Sequence, residues 1–345
     1  MSMSDSPPTA ATLTHWLRRS GNLPRGEVTQ AHVNLNHQAP ISSLLFLMVE
    51  YTAEAPADLP RRIVVKSPHA RSSGDGAEVQ FYRDVASILT SPPVVRCLAV
   101  VENSDTNMET IVLEDLRATH DHPDWPIPPP VNQSEQAIDA LAHLHARYWE
   151  APTLGNSIGK HNTEESLTTM VRGIVAHLSW FFDQLGDSLT PDVSKLYERV
   201  FASSLKPWMR LTDPRALTIT HGDAHAWNFL FPRSGKGPAY LFDWQLWHID
   251  VGARDLAFFM ALHWYPRRRR EVEAPLIRRY HEALLAQGVA NYSLDDLWLD
   301  YRRSVVRNLT FPIIIASRGD KPESWWHRLE CAVAAYHDLN CDELL

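Results

Sequence analysis

Cysteine is scarce in this chain, at three residues in 345, namely Cys97, Cys331 and Cys341. An odd number without paired spacing indicates neither a disulfide framework nor a zinc knuckle. Long apolar runs are missing as well, and none approaches the roughly 20 residues that a membrane span needs. Positive charge is in deficit, 33 Lys and Arg against 41 Asp and Glu, for a net charge of −8. That balance argues against non-specific nucleic-acid binding and mildly favours neutral or cationic partners. The first ten residues are polar, contain proline and lack a hydrophobic signal core, so a flexible tail is expected there. A reducing, cytoplasmic setting is expected, with no membrane, nucleic-acid or protein partner indicated. What remains is ordinary for a globular protein: 44% hydrophobic and 21% charged residues, in a chain long enough for two lobes with sizeable cores.

The chemistry concentrates in residues 217–260. Ile219-Thr220-His221-Gly222-Asp223 and Ala239-Tyr240-Leu241-Phe242-Asp243 are apolar or β-branched runs ending on a carboxylate, as expected of short buried strands with an acid at the tip. Asn228 follows Asp223 by five residues and Asp243 follows it by twenty. A protein kinase catalytic loop spaces its base and its metal-binding Asn in the same way, with a second metal-binding Asp on the next hairpin. An acceptor hydroxyl needs a carboxylate to take its proton, and nucleotide phosphates need Mg²⁺ held by hard oxygen ligands.

Upstream, a short amphipathic helix is expected over 13–19, stopped by Ser20-Gly21. Two extended segments follow over 28–35 and 43–51, around a turn at Gln38-Ala39-Pro40. Arg62-Ile63-Val64-Val65-Lys66 reads as a buried strand ending in a lysine that can reach α- and β-phosphates. Such a lysine needs a carboxylate to fix it, and Glu78, heading a helical segment, is placed to pair with it. Strands are expected over 94–101 and 109–113, separated by a polar turn at Asn103-Ser104-Asp105. The proline-dense stretch 122–130 reads as a linker. Helices are expected over 133–149, 167–185, 192–209, 252–264, 268–287, 294–315 and 322–339. His145, alone on a packed helix, is expected to be a core histidine, and the Arg267–Arg270 run a solvated helix start.

His221-Gly222-Asp223 with Asn228, then Asp243-Trp244-Gln245, then Asp255-Leu256-Ala257, resembles the aminoglycoside phosphotransferase and choline kinase superfamily, and most of all its ecdysteroid-kinase-like branch. Leu144-His145-Ala146-Arg147-Tyr148-Trp149 matches a helix of that branch. The resemblance implies an α+β, two-lobed protein-kinase-like fold. A small antiparallel-sheet lobe (1–117) would precede a larger, mainly helical lobe (118–345). It implies that Asp223 is the catalytic base, that Asn228 and Asp243 hold the metal, and that Asp255 is a buried acid bracing the catalytic loop. ATP and Mg²⁺ are the implied cofactors. The turn between the first two strands would cover the phosphates; it lacks the glycines of a kinase loop, leaving Ser42 and Ser43 as substitutes. Ile111-Val112-Leu113-Glu114-Asp115-Leu116 resembles the family's hinge, where backbone groups near Glu114 and Leu116 would bond the adenine edge.

Two departures from protein kinases point to a small-molecule acceptor. Position 222 is Gly where a protein kinase places the Arg that grips a phosphorylated activation loop, and eleven residues between Asp243 and Asp255 leave no room for a long activation segment. Choline is disfavoured, because choline kinases usually show His-Asn-Asp and Asp-Phe-Glu in place of these motifs. Eleven of the twelve tryptophans follow residue 117 and would suit an aromatic cleft or simple core packing. Two other readings stand beside the kinase. One is a nucleotide-binding pseudokinase without transfer. The other is a metal-dependent hydrolase built on His221-x-Asp223-x-His225.

Overall fold

The computed structural model of the chain describes residues 7–39, 42–69, 76–86, 89, 93–103, 108–203 and 215–345. The expected turn at Pro40, the turn through Ser104 and Asp105, and the end of the helix expected over 192–209 lie outside the described residues. The chain folds as two compact units, Met1–Asp121 with Leu230–Leu246, and His122–Phe229 with Trp247–Leu345.

The first unit is a five-stranded antiparallel sheet with one helix packed on it. The helix α1 (Ala10–Arg19) is capped by the Thr9 hydroxyl, which accepts from Thr12 N at 3.1 Å, satisfying one of the donors a helix start leaves open. Strands β1 (Val28–Gln38), β2 (Ser42–Tyr51), β3 (Arg62–Pro68), β4 (Cys97–Asn103) and β5 (Met108–Glu114) lie in the order β1-β2-β3-β5-β4. Leu13 and Leu17 of α1 pack with Leu47, Val49, Ile63, Val65, Leu98 and Val112, each fully buried side chain worth about 1.5–3 kcal/mol. Because side chains alternate along a strand, Ile63 and Val65 fill this core while Val64 and Lys66 face the other side of the sheet. On the sequence side of β3 that leads to β4 stands a helical turn, α2 (Ala77–Gln80), entered through Gly76 at φ 67° and continued by a π-turn over Phe81–Val85.

A short strand, β6 (His120–Asp121), pairs with β8 (Phe229–Pro232), matching His120 to Pro232 and Asp121 to Phe231, and β9 (Tyr240–Leu241) completes that small sheet. Leu241 also bridges to Val94. These pairings bring Asp243 to the unit that carries Lys66, although the sequence places it after the helical region has begun.

The second unit is helical around one hairpin, β7 (Leu217–Thr220) with β10 (His248–Val251), in register Thr220 to His248. Its helices are α3 (Val131–Arg147), α4 (Glu164–Ala176), α5 (Leu178–Leu185), α6 (Pro191–Ala202), α7 (Ala253–Met260), α8 (Pro266–Ala286), α9 (Leu294–Asn308), α10 (Thr310–Ser317) and α11 (Pro322–Asp338). Every residue of α7 is buried, the mark of a central helix. Two helices expected as continuous are each broken in two. The first breaks at His177, whose ring Nδ1 donates to Gly173 O at 2.8 Å. The second breaks at Leu309, where Leu309 N closes a tight turn on Val306 O and Asn308 is committed inward to Ala257 O at 3.0 Å. The expectation of a solvated arginine run also fails for Arg269. It is 1% exposed and bonds both Glu273 oxygens, at 3.0 and 2.8 Å, and Asp338 of α11. Tyr301 of α9 donates to the same Glu273 at 2.6 Å, so the cluster ties three helices together. No membrane-crossing helix is found: among the described residues none is long and apolar enough.

Candidate functional site

In the second unit, β7 ends at Thr220 and the chain turns through His221 and Gly222. Gly222 sits at φ 77°, a left-handed conformation that a side chain strains. Asp255, in the first turn of α7, holds that turn in place. Its Oδ2 accepts His221 N at 2.7 Å and its Oδ1 accepts Gly222 N at 3.0 Å. His145 of α3 adds a third bond, Nε2 to Asp255 Oδ2 at 3.2 Å, while its Nδ1 accepts from the Tyr280 hydroxyl at 2.7 Å. His145 therefore reaches the loop that precedes Asp223 through Asp255. Burial alone would push the Asp255 carboxyl up; the bonds from His145 and from His221 outweigh it and hold it below the usual carboxylate range. Gly252 is required by close approach here, since a Cβ would lie 2.2 Å from the Tyr280 hydroxyl and 2.7 Å from His145 Nδ1.

Asp223 follows directly, its side chain 28% exposed. Asn228, at the end of the 3-10 turn Ala226–Asn228, donates from Nδ2 to Asp223 O at 2.9 Å and to Asp223 Oδ2 at 3.1 Å. With both amide hydrogens committed, the remaining capacity of Asn228 is its carbonyl oxygen, an acceptor. His225 lies beside the pair, with Nε2 3.5 Å from Asp223 Oδ2. Among the described residues no three His, Cys, Asp or Glu side chains converge as metal ligands.

In the first unit, Lys66 Nζ lies 2.6 Å from Glu78 Oε2 and 2.6 Å from Asp243 Oδ1. Burial disfavours the ammonium, but the Glu78 and Asp243 charges outweigh it and raise the Lys66 pKa. Burial pushes the Glu78 carboxyl up, with Lys66 opposing and Asp243 adding to the rise. Asp243 has φ 68°, a conformation Asp tolerates better than most residues. The next residue, Trp244, is fully buried and stacks on Phe81, with centroids 3.8 Å apart and planes 6° from parallel. Phe81 follows α2 directly, so one ring pair ties the Glu78 turn to the Asp243 loop. Sequence reasoning missed this anchor, although Trp244 stands inside the Asp-Trp-Gln motif.

The remaining nucleotide candidates are placed less tellingly. Ser42 is buried and its carbonyl accepts from Ala39 N at 2.9 Å; the Ser43 hydroxyl accepts from Gln38 Nε2 at 3.1 Å. Glu114 is half-buried, its carboxyl pushed up by burial with Arg96 opposing. Leu116 opens a 3-10 turn capped by Asp115, which also takes Arg117 at 2.9 Å through both oxygens. The Arg117 guanidinium in turn lies 3.5 Å over the Phe46 ring.

Asp243 and Asn228 offer a carboxylate and an amide carbonyl, hard oxygen donors of the kind Mg²⁺ takes, so the donor chemistry in each unit fits a divalent metal.

Comparison with known proteins places this arrangement in a family. No curated protein sequence matches the chain. Among solved structures, a Ralstonia eutropha protein assigned by name to the aminoglycoside phosphotransferases superposes with a TM-score of 0.60 at 13% identity, covering 95% of this chain and 97% of its own. Aminoglycoside 2'-phosphotransferase-IIIa in its GDP complex gives 0.53 at 11% identity, covering 97% and 99%. Amicoumacin kinase, solved with AMP-PNP and Ca²⁺, gives 0.53 at 12% identity, covering 93% and 92%. At these identities the likeness establishes the protein-kinase-like fold. The profile of the ecdysteroid kinase-like family matches residues 79–289, a stretch holding Asp223, Asn228, Asp243 and Asp255 and more than half of the sequence; the chain belongs to the ecdysteroid kinase-like family.

Proposed function

We propose that the protein is an ATP-dependent phosphotransferase that moves the γ-phosphoryl group to a hydroxyl of a small organic molecule. The observation that carries this reading is Asp223: a partly exposed carboxylate on a loop whose two preceding N–H groups are both fixed by Asp255. Asp223 is the base that takes the acceptor proton. Asn228 holds its carboxylate and backbone, which limits rotation away from the productive geometry. Lys66, fixed by Glu78, serves the nucleotide phosphates as a point charge. Asp243 and Asn228 are the residues to hold Mg²⁺, which when bound neutralises charge on the phosphates. Ser42, Ser43 and the backbone near Glu114 and Leu116 are assigned to nucleotide contacts. Nucleotide complexes of the aminoglycoside and amicoumacin enzymes support the donor class. The eleven residues between Asp243 and Asp255 hold little beyond the four-residue β10, which supports a small acceptor over a docked peptide.

The test is acceptor-dependent ADP release with Mg-ATP over aminoglycosides, choline-like amines, macrolides, sterols and hydroxy acids. Turnover in the wild type should fall by about 10²–10⁴ in Asp223→Asn, with nucleotide binding retained. Undiminished turnover in that variant would overturn the assignment of the base.

A further inference from the structure

Beside Asp223 the second unit gathers aromatic rings that its core does not require. Trp125 packs edge-on to Trp227, with centroids 4.4 Å apart, and Tyr265 packs on His327 at 4.6 Å. Trp125 is 47% exposed and Tyr265 48%, although rings of this size ordinarily bury most of their surface. His327 also meets Trp125 edge-on at 6.1 Å, so the four rings form one apolar shelf open to solvent.

The shelf carries a cation. The Arg328 guanidinium lies 5.2 Å from the centroid of the Trp125 ring. Its Nε donates to His263 Nε2 at 3.1 Å, and its Nη1 donates to the Ser324 carbonyl. His263 is oriented for this by its own Nδ1, which donates to Phe258 O at 2.8 Å. Burial, with Arg328 and His225 adding, holds the His263 pKa well below its usual value, so its ring is a neutral acceptor that aims Arg328 without offsetting its charge. Burial likewise disfavours the Arg328 charge, and the carboxylates of Asp223 and Asp320 act on it through space. Among the described residues, however, no carboxylate lies within ion-pair distance of Arg328. Arg328 is partly buried, so its charge is only partly solvated and is available to an anion.

We propose that the acceptor is an alcohol that also bears a carboxylate, with the carboxylate on Arg328, the apolar body on the Trp125–Trp227 shelf and the hydroxyl at Asp223. The inference rests on Asp223 being the base and adds the chemical class of its substrate. A single guanidinium edge suits one carboxylate, whereas a phosphate dianion would call for more donors than the shelf supplies. In the transfer, the acceptor oxygen bonds to the γ-phosphorus of ATP as the bond to the bridging oxygen breaks. The hydroxyl proton goes to Asp223 and ADP leaves, so the product is a phosphorylated hydroxy acid.

The experiment compares phenyllactate and hydroxydecanoate with their methyl esters on the full-length protein. Calorimetric binding is measured in the Asp223→Asn background and ADP release in the wild type. Each acid should bind about tenfold or more tightly than its ester. Arg328→Gln should erase that preference by weakening the acid alone, and Arg328→Lys should keep part of it. The acid–ester contrast in the wild type needs no variant, so a poorly folding Arg328→Gln would not spoil the result. Acid-selective binding without ADP release would uphold the carboxylate site and sink the kinase reading. Equal binding of acid and ester, no binding of either acid at millimolar concentration, or equal losses of acid and ester in Arg328→Gln would overturn the inference.

Discussion

Asp255 shows how one side chain fixes a loop it does not belong to. It accepts two backbone N–H groups and a histidine in a site closed to water, and its ionised form is what folding favours. Because its folded pKa lies below the ordinary value of about 3.9, its stabilisation is fully present above that pH and is lost as pH falls through the folded value. Asp255→Asn should therefore lower stability by about 2–4 kcal/mol near neutrality, and the gap to wild type should narrow on acidification. Urea unfolding of both proteins between neutral pH and about pH 3 reads this; a gap independent of pH would show that the carboxylate charge is not what matters. Asp223 and Asn228 were legible as a pair because their link spans five residues of one loop. His145 was not, because its meaning comes from Asp255, 110 positions away.

At the scale of elements, the stacked pair of Phe81 and Trp244 decides where a loop stands. A helical turn of four residues is too short to hold itself, and the buried ring pair supplies packing that its backbone cannot. Trp244→Ala should cost about 3–5 kcal/mol, whereas Trp244→Phe should retain most of the stability. If Asp243 serves as proposed, Trp244→Ala should also lower kcat. Denaturant midpoints and steady-state rates, measured together, separate the two effects; a stable but inactive Trp244→Ala would assign the tryptophan to positioning alone. The broken helices and the buried Arg269 belong to this scale too. Periodicity marks a helical segment well but overlooks a local breaker: Pro312 has no N–H to give the Asn308 carbonyl four residues back, and the helix divides at Leu309.

Across the whole molecule, a ligand that binds the native state stabilises it by mass action. Mg-ATP at about a hundredfold excess over its dissociation constant should add about 2.7 kcal/mol, seen as a rise in Tm. Lys66→Met should abolish most of that rise, since it removes the charge held between Glu78 and Asp243. A full shift in Lys66→Met would remove Lys66 from nucleotide binding.

The sequence alone determined the family and the run of most strands and helices, because spacing, alternation and turn residues act over a few positions. Only the tertiary structure decided that Lys66 meets an aspartate 177 residues later, that Leu230–Leu246 joins the first unit, and that Arg328 and Trp125 stand together on one shelf. Those contacts lie far apart along the chain, and burial and charge pairing between distant segments leave no local pattern from which to read them.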